Sequence, residues 1–183
     1  MSTEQAQLEQ KVVELPEGVA ASMASRTLTI KGKLGEAKKD FQKININLDV
    51  EDNKVTLKPF SRKKKDRVIV NTVSSLVNNM VTGVTKGYTY RLKVVYAHFP
   101  ISVKTKGDEI HVENFVGERS PRVAKVVGNC KISIEGDDII VKGVSVEDVG
   151  QTAANVELAT KIKKKDQRIF LDGVYIYAKE KGW

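Results

Sequence analysis

Twelve residues, NLDVEDNKVTLK at 47–58, lie over KISIEGDDIIVK at 131–142 with an offset of 84. Each reads as an alternating strand, a polar turn and a second alternating strand, which is the signature of a hairpin. Pro16 in ELPEGVAASM and Pro100 in HFPISVKT keep the same offset, and KGYTYRLK at 86–93 matches DGVYIYAK at 172–179 with an offset of 86. Two helical stretches, 66–84 and 146–162, lie about 80 apart when Thr72 is laid on Thr152. A drift of a few residues is what loops of unequal length produce, so the chain carries one unit of roughly 80–85 residues twice. Whatever it folds into, it must do so in duplicate.

Each unit reads as strand, strand, hairpin, helix and final strand. In the first helix Val68, Val73, Leu76, Val77, Met80 and Val84 recur near a 3.6-residue period and predict one apolar face. In the second, Val149, Ala153, Val156, Ala159 and Thr160 do so more weakly. Ser145 of SVED is placed to cap that helix, with Asp148 reaching back. Residues 16–18 mark a turn, and no proline interrupts either helix. The expected fold is α+β, with two duplicated domains, each a small, mostly antiparallel sheet carrying one helix on a face. The 183 residues divide into a polar tail at 1–10, a first repeat at 11–92 and a second at 93–183, with the boundary between Arg91 and Val95.

Charge points to a partner. Lys and Arg number 31 against 23 Asp and Glu, a net charge of +8 and a pI near 9.4, which favours a polyanion. Up to residue 92 there are sixteen cations and ten anions, and beyond it fifteen and thirteen. The second half is nearly balanced, yet it holds the densest run, so its cations are placed locally. No apolar stretch approaches the roughly 20 residues that cross a bilayer, and the polar start predicts no secretory signal. The single cysteine, Cys130, cannot form an internal disulfide, which fits a reducing cytoplasm.

Three basic segments are candidates for phosphate contact. KIKKKDQR at 161–168 carries Lys161, Lys163, Lys164, Lys165 and Arg168 with one acid, Asp166. If it ends a helix, its charge complements the macrodipole, although two or three lysines would suffice for that. Behind it, Asp172-Gly173 signals a turn, and Val174–Ala178 a stiff strand with Tyr175 and Tyr177 on one face. A rigid support suits recognition of a shaped polyanion. VGERSPRVAK at 116–125 offers Arg119 and Arg122, whose forks match phosphates, on what could equally be a plain surface loop. SRKKKDR at 61–67, with Lys63 and Lys64, precedes the first helix, where cations oppose the dipole. A solvated loop would account for it as readily.

No enzyme is expected. His98 and His111 are the only histidines and lack a ligand spacing, one cysteine excludes a thiolate zinc cluster, and GKLGEAK lacks the P-loop spacing. Cys130 aligns with Ile46 in the repeat, which predicts a buried structural thiol. No base stands with a nucleophile, and no metal, cofactor or small-molecule substrate is implied.

KDQRIFLDGVYIYAK (165–179), VTGVTKGYTYRLKVVYAHFPI (81–101) and SVEDVGQTAA (145–154) closely resemble the universal large-subunit ribosomal proteins of the L6 family, called L9 in eukaryotes, in their archaeal and eukaryotic branch. The likeness covers nearly the whole chain from about residue 10. The densest motif falls on Lys165, Arg168, Phe170, Asp172, Gly173, Val174, Tyr175, Ile176 and Lys179. Where the family pattern often has glutamine four residues before Ile162, this chain has Leu158. The resemblance implies two duplicated α+β domains, and a structural role on the cytoplasmic ribosome. It also implies ribosomal RNA and neighbouring large-subunit proteins as partners, with no membrane. It places RNA contact mainly on the second domain, near the sarcin-ricin and factor-binding region. Lys161, Lys163, Lys164, Lys165, Arg168 and the segment Asp172, Gly173 and Tyr175 are the implied contacts, with Arg119 and Arg122 second. A protein–protein adaptor that meets an acidic partner is the rival reading; against it, no large exposed aromatic cluster is evident in the sequence.

Overall fold

The computed structural model describes residues 10–51, 53–61, 63–163, 165–166 and 168–183. All but the last residue of the polar tail at 1–10, together with Asp52, Arg62, Gln167 and the candidate Lys164, therefore lie outside the described residues. The chain divides into two compact units, 1–86 and 87–183.

The first unit runs β1 (Lys11–Glu14), β2 (Ala20–Ala24), β3 (Thr27–Gly32), β4 (Gly35–Asp40), β5 (Ile46–Glu51), β6 (Lys54–Pro59) and α1 (Lys64–Thr85). Its strands form two antiparallel sheets, ordered β1-β6-β5 and β2-β3-β4. Alternation places Leu28 and Ile30 of β3, and Val55 and Leu57 of β6, wholly inside. On α1 the buried stripe is Asp66, Val70, Val73, Val77, Met80 and Val84. Val68, expected in that stripe, is exposed and Leu76 is only half-buried. Both stand one to two residues from the true 3.6-residue row, which Val70 occupies instead.

The second unit repeats the plan with β7 (Tyr88–Val95), β8 (Ser102–Lys106), β9 (Glu109–Glu113), β10 (Arg122–Lys125), β11 (Lys131–Glu135), β12 (Asp138–Gly143), α2 (Val146–Ala159) and β13 (Gly173–Lys181). Its antiparallel sheets are ordered β10-β9-β8 and β11-β12-β7-β13. The duplication is literal at the hairpins: Glu51 pairs with Lys54 and, 84 residues on, Glu135 with Asp138. The α+β reading holds, with two small sheets in each unit rather than one.

The expected boundary at 92/93 falls inside β7. The match of residues 86–93 to 172–179 predicts that both are closing strands of their repeats. Instead β7 pairs with both β12 and β13, Gly173 facing Val95 and Lys181 facing Tyr88, and is an inner strand of the second unit's larger sheet. The alternation common to the two segments reflects a shared sheet face and not an equivalent place in the repeat. Their pairing traps Leu92, Val94 and Val174 against Val149, Ala153 and Val156 of α2. Ser145 caps α2, its hydroxyl accepting the Asp148 N–H at 3.2 Å. Cys130, expected to be buried, packs half-buried against this core, and burial pushes its thiol pKa up.

Two glycines with positive φ separate backbone strain from crowding. Gly87 has φ +79°, and a Cβ there would lie 1.9 Å from the Trp183 indole nitrogen. Gly18 has φ +81° and open space around it. We expect Gly18→Ala to cost roughly 1–2 kcal/mol, the left-handed backbone alone. Gly87→Ala should cost roughly 1–3 kcal/mol more through displacement of the indole. Urea unfolding of the two variants checks the difference; equal losses would mean that Trp183 does not seat as described.

Candidate nucleic-acid interface

The basic run does not end a helix. α2 stops at Ala159 with no cation in its last turn, and Lys161 onward belongs to an irregular connection leading to β13. Buried Thr160 ends the helix: its hydroxyl donates to the Val156 carbonyl at 3.2 Å and accepts the Val174 N–H at 3.0 Å. One side chain thus closes the helix and starts the strand, and the described residues between them lie outside helix and strand.

The cation that the helix terminus calls for comes from β10. Arg122 Nη1 donates to the carbonyls of Ala159 and Lys161 at 3.0 and 3.1 Å. Its Nε and Nη2 form a fork on Glu118 at 2.9 and 2.6 Å, and the guanidinium lies 4.2 Å over the Phe115 ring. All three nitrogens of this arginine donate inside the unit, so the residue expected to hold a phosphate is instead engaged as the strut that holds the loop. Arg119, three residues earlier, is exposed. Its loop is held in an unusual shape, with Asn114, Val116 and Gly117 all at positive φ. For a β-branched residue such as Val116 that conformation is strained. The hydrogen bonds from Arg122 hold the Glu118 carboxyl below the usual value; partial burial opposes this, and the charges of Arg122 and Lys165 reinforce it.

Within the run, burial alternates. Ile162 plugs the small cluster of Val112 and Phe115, and Lys161 and Lys163 on either side of it are exposed. Lys165 places its ammonium 4.6 Å from the centre of the Phe170 ring. Arg168 is largely exposed but forks onto Asp166 at 3.0 and 3.2 Å, which lowers the Asp166 pKa. The backbone N–H groups of Ile169 and Phe170 return to the Asp166 carbonyl and make a tight turn there. The turn expected at Asp172-Gly173 is therefore replaced by one closed by Asp166, Ile169 and Phe170. Asp172 is buried and accepts the Ala97 N–H at 3.0 Å, while Gly173 is the buried first residue of β13. Both position the loop rather than face outward. Tyr175 is exposed, its hydroxyl donating to the Leu171 carbonyl at 3.1 Å.

Lys161, Lys163, Lys165, Arg168, Arg119 and Tyr175 thus belong to one end of the second unit. Lys63 and Lys64 sit at the start of α1 in the first unit, exposed. Sequence reasoning missed Thr160 as a connector and the apolar exposure beside the cations: Leu158, Ile169, Leu171, Phe170, Tyr175 and Tyr177 all reach solvent. Exposed Phe170, Tyr175 and Tyr177 are aromatic surface of the kind a protein adaptor would use, contrary to the expectation from sequence.

The family model for ribosomal protein L6 matches this chain twice, over residues 15–87 and 99–173. The chain belongs to the ribosomal protein L6 family. The large ribosomal subunit protein uL6 of Ignicoccus hospitalis is 44% identical over 174 residues, covering 92% of this chain and 94% of that protein. Its counterpart in Archaeoglobus fulgidus is 46% identical over 176 residues, covering 93% and 90%. That of Methanobrevibacter smithii is 44% identical over 168 residues, covering 92% and 94%. Both the resemblance to the L6 family and the twofold repeat are thereby established. The family is a structural one, in accord with the expectation that this chain is no enzyme.

Arg122→Ala should destabilise the protein by roughly 2–3 kcal/mol, and Arg122→Lys should recover little of it, because an ammonium cannot reproduce the fork. Because Glu118 titrates below its ordinary 4.5, its share of stability is present above that pH and lost as pH falls through the depressed value. Glu118→Gln should remove that acid-side loss in unfolding curves measured between neutral pH and about pH 3.

Proposed function

We propose that this chain is a structural constituent of the large ribosomal subunit and grips ribosomal RNA through the loop between α2 and β13. The site on that RNA is the sarcin-ricin and factor-binding region. One observation carries this: Arg122, from another strand, neutralises the end of α2, so Lys161, Lys163 and Lys165 are not consumed as helix caps. Among the described residues no carboxylate forms an ion pair with these three lysines. Their backbone is fixed by Thr160, Ile162 and Asp172, so little ordering entropy is lost on binding. A-form RNA hides its major-groove edges, and contact to phosphates and 2′-hydroxyls is the mode such a surface supports. Arg168 contributes more weakly, since Asp166 offsets its charge. Neighbouring large-subunit proteins are the fitting partners for the exposed Ile169 and Leu171.

Purified protein titrated with large-subunit RNA fragments across roughly 50–300 mM salt tests the reading, with Lys161, Lys163 and Lys165 changed to Ala one at a time. Each change should weaken binding to one preferred fragment and flatten the slope of log K against log salt by roughly 0.7–0.9. Equal weak binding to all fragments with no change in slope, or tighter binding to polyglutamate, would transfer the case to an acidic protein partner.

A further inference from the structure

Between the end of α2 and the start of β13 lies a groove of about 440 Å³. Leu158, Phe170 and Tyr175 form its sides, all partly exposed, and buried Val174 and Ile162 line it more deeply. Its shape is built in. A Cβ on Gly173 would come within 3.0 Å of the Tyr175 ring, so glycine is what lets the ring lie where it does. The bond from the Tyr175 hydroxyl to Leu171 pins the ring and leaves the phenol oxygen free to accept. Lys165 stands over Phe170, and Lys161 lies in the groove wall itself. Among the described residues, Glu157 is the only acid that lines it.

A phosphate clamp has no use for an apolar slot, and leaving Leu158 and Phe170 open to water is unfavourable. The occupant must be flat and apolar inside, with negative charge where the lysines stand. We propose that the groove takes the base of one unpaired RNA nucleotide, stacked against Phe170 and Tyr175, with its phosphates held by Lys161, Lys163 and Lys165. This rests on the RNA reading above and adds to it a single-stranded element: the loop grips a place where the RNA has a bulged or extruded base, not only a continuous helix. Glu157 is within the groove to accept from an exocyclic amino group, which favours adenine, cytosine or guanine over uracil.

The test uses the full chain and two probes of equal charge and about eight nucleotides: an oligoadenylate, and an abasic ribose-phosphate oligomer. The chain should bind oligoadenylate about tenfold more tightly, with the same salt slope for both. Phe170→Ala should erase the preference. Phe170→Trp, which retains a stacking face, should keep it and show quenching of the new indole by the base. Equal affinity for the two probes, or a preference that persists in Phe170→Ala, would overturn the proposal. So would an acidic, tyrosine-bearing peptide of the same charge that outcompetes oligoadenylate for the wild-type chain. If ribosomal RNA fragments still bind with a steep salt slope while the probes are equal, the groove inference fails alone. If no fragment is preferred, the reading beneath it fails too.

Discussion

The guanidinium of Arg122 stands where a helix would ordinarily place a lysine of its own. It meets the carbonyls left over at the end of α2, stacks on Phe115 and locks Glu118, all from a strand that precedes the helix by more than twenty residues. Because that charge is supplied from elsewhere, the lysines that follow the helix in sequence are released from it. Thr160 completes the arrangement by joining helix end to strand start. A dense basic loop is thereby held on stiff supports, and its cations are separated by the buried Ile162.

Much of the architecture was legible in the sequence. Hairpins announce themselves by alternation and a polar turn, and two copies at one offset announce duplication. The capping role of Ser145 and the inward face of Val149, Ala153 and Val156 were equally plain. What failed depended on information that is not local. Nothing in YTYRLKVV says that it will be flanked on both sides, because an inner strand and a closing strand share the same alternation. Arg122 looks like any loop arginine until the fold carries the end of α2 to it. The Asp-Gly pair at 172–173 has the chemistry of a turn, but Asp172 is claimed by the Ala97 N–H and Gly173 by the Tyr175 ring. Burial on α1 shows the same limit at smaller scale: Val68 and Val70 are equal candidates on hydrophobicity, and only the direction of the packed face separates them.

The two copies have also diverged in what they carry. Both keep two small sheets and a helix, but among the described residues only the second has a strand after its helix. That strand, β13, anchors the far side of the basic loop. In the first unit the cations at Lys63 and Lys64 stand instead at the entry to α1, where Ser61 and Asp66 hydrogen-bond beneath them.

The placement of β7 has a temporal meaning. A ribosome making this chain releases the first unit's strands and helix in one block, and all of that unit's pairings are satisfied within it. The second unit begins with the strand that its last strand must cover, Tyr88 waiting for Lys181. Its larger sheet stays open along one edge of β7 until nearly the whole unit has been synthesised. Over that interval Leu92 and Val94 lack the Val174 neighbour that completes their core, and the basic loop has no fixed shape. The RNA binding proposed for that loop would therefore become possible late in synthesis and all at once.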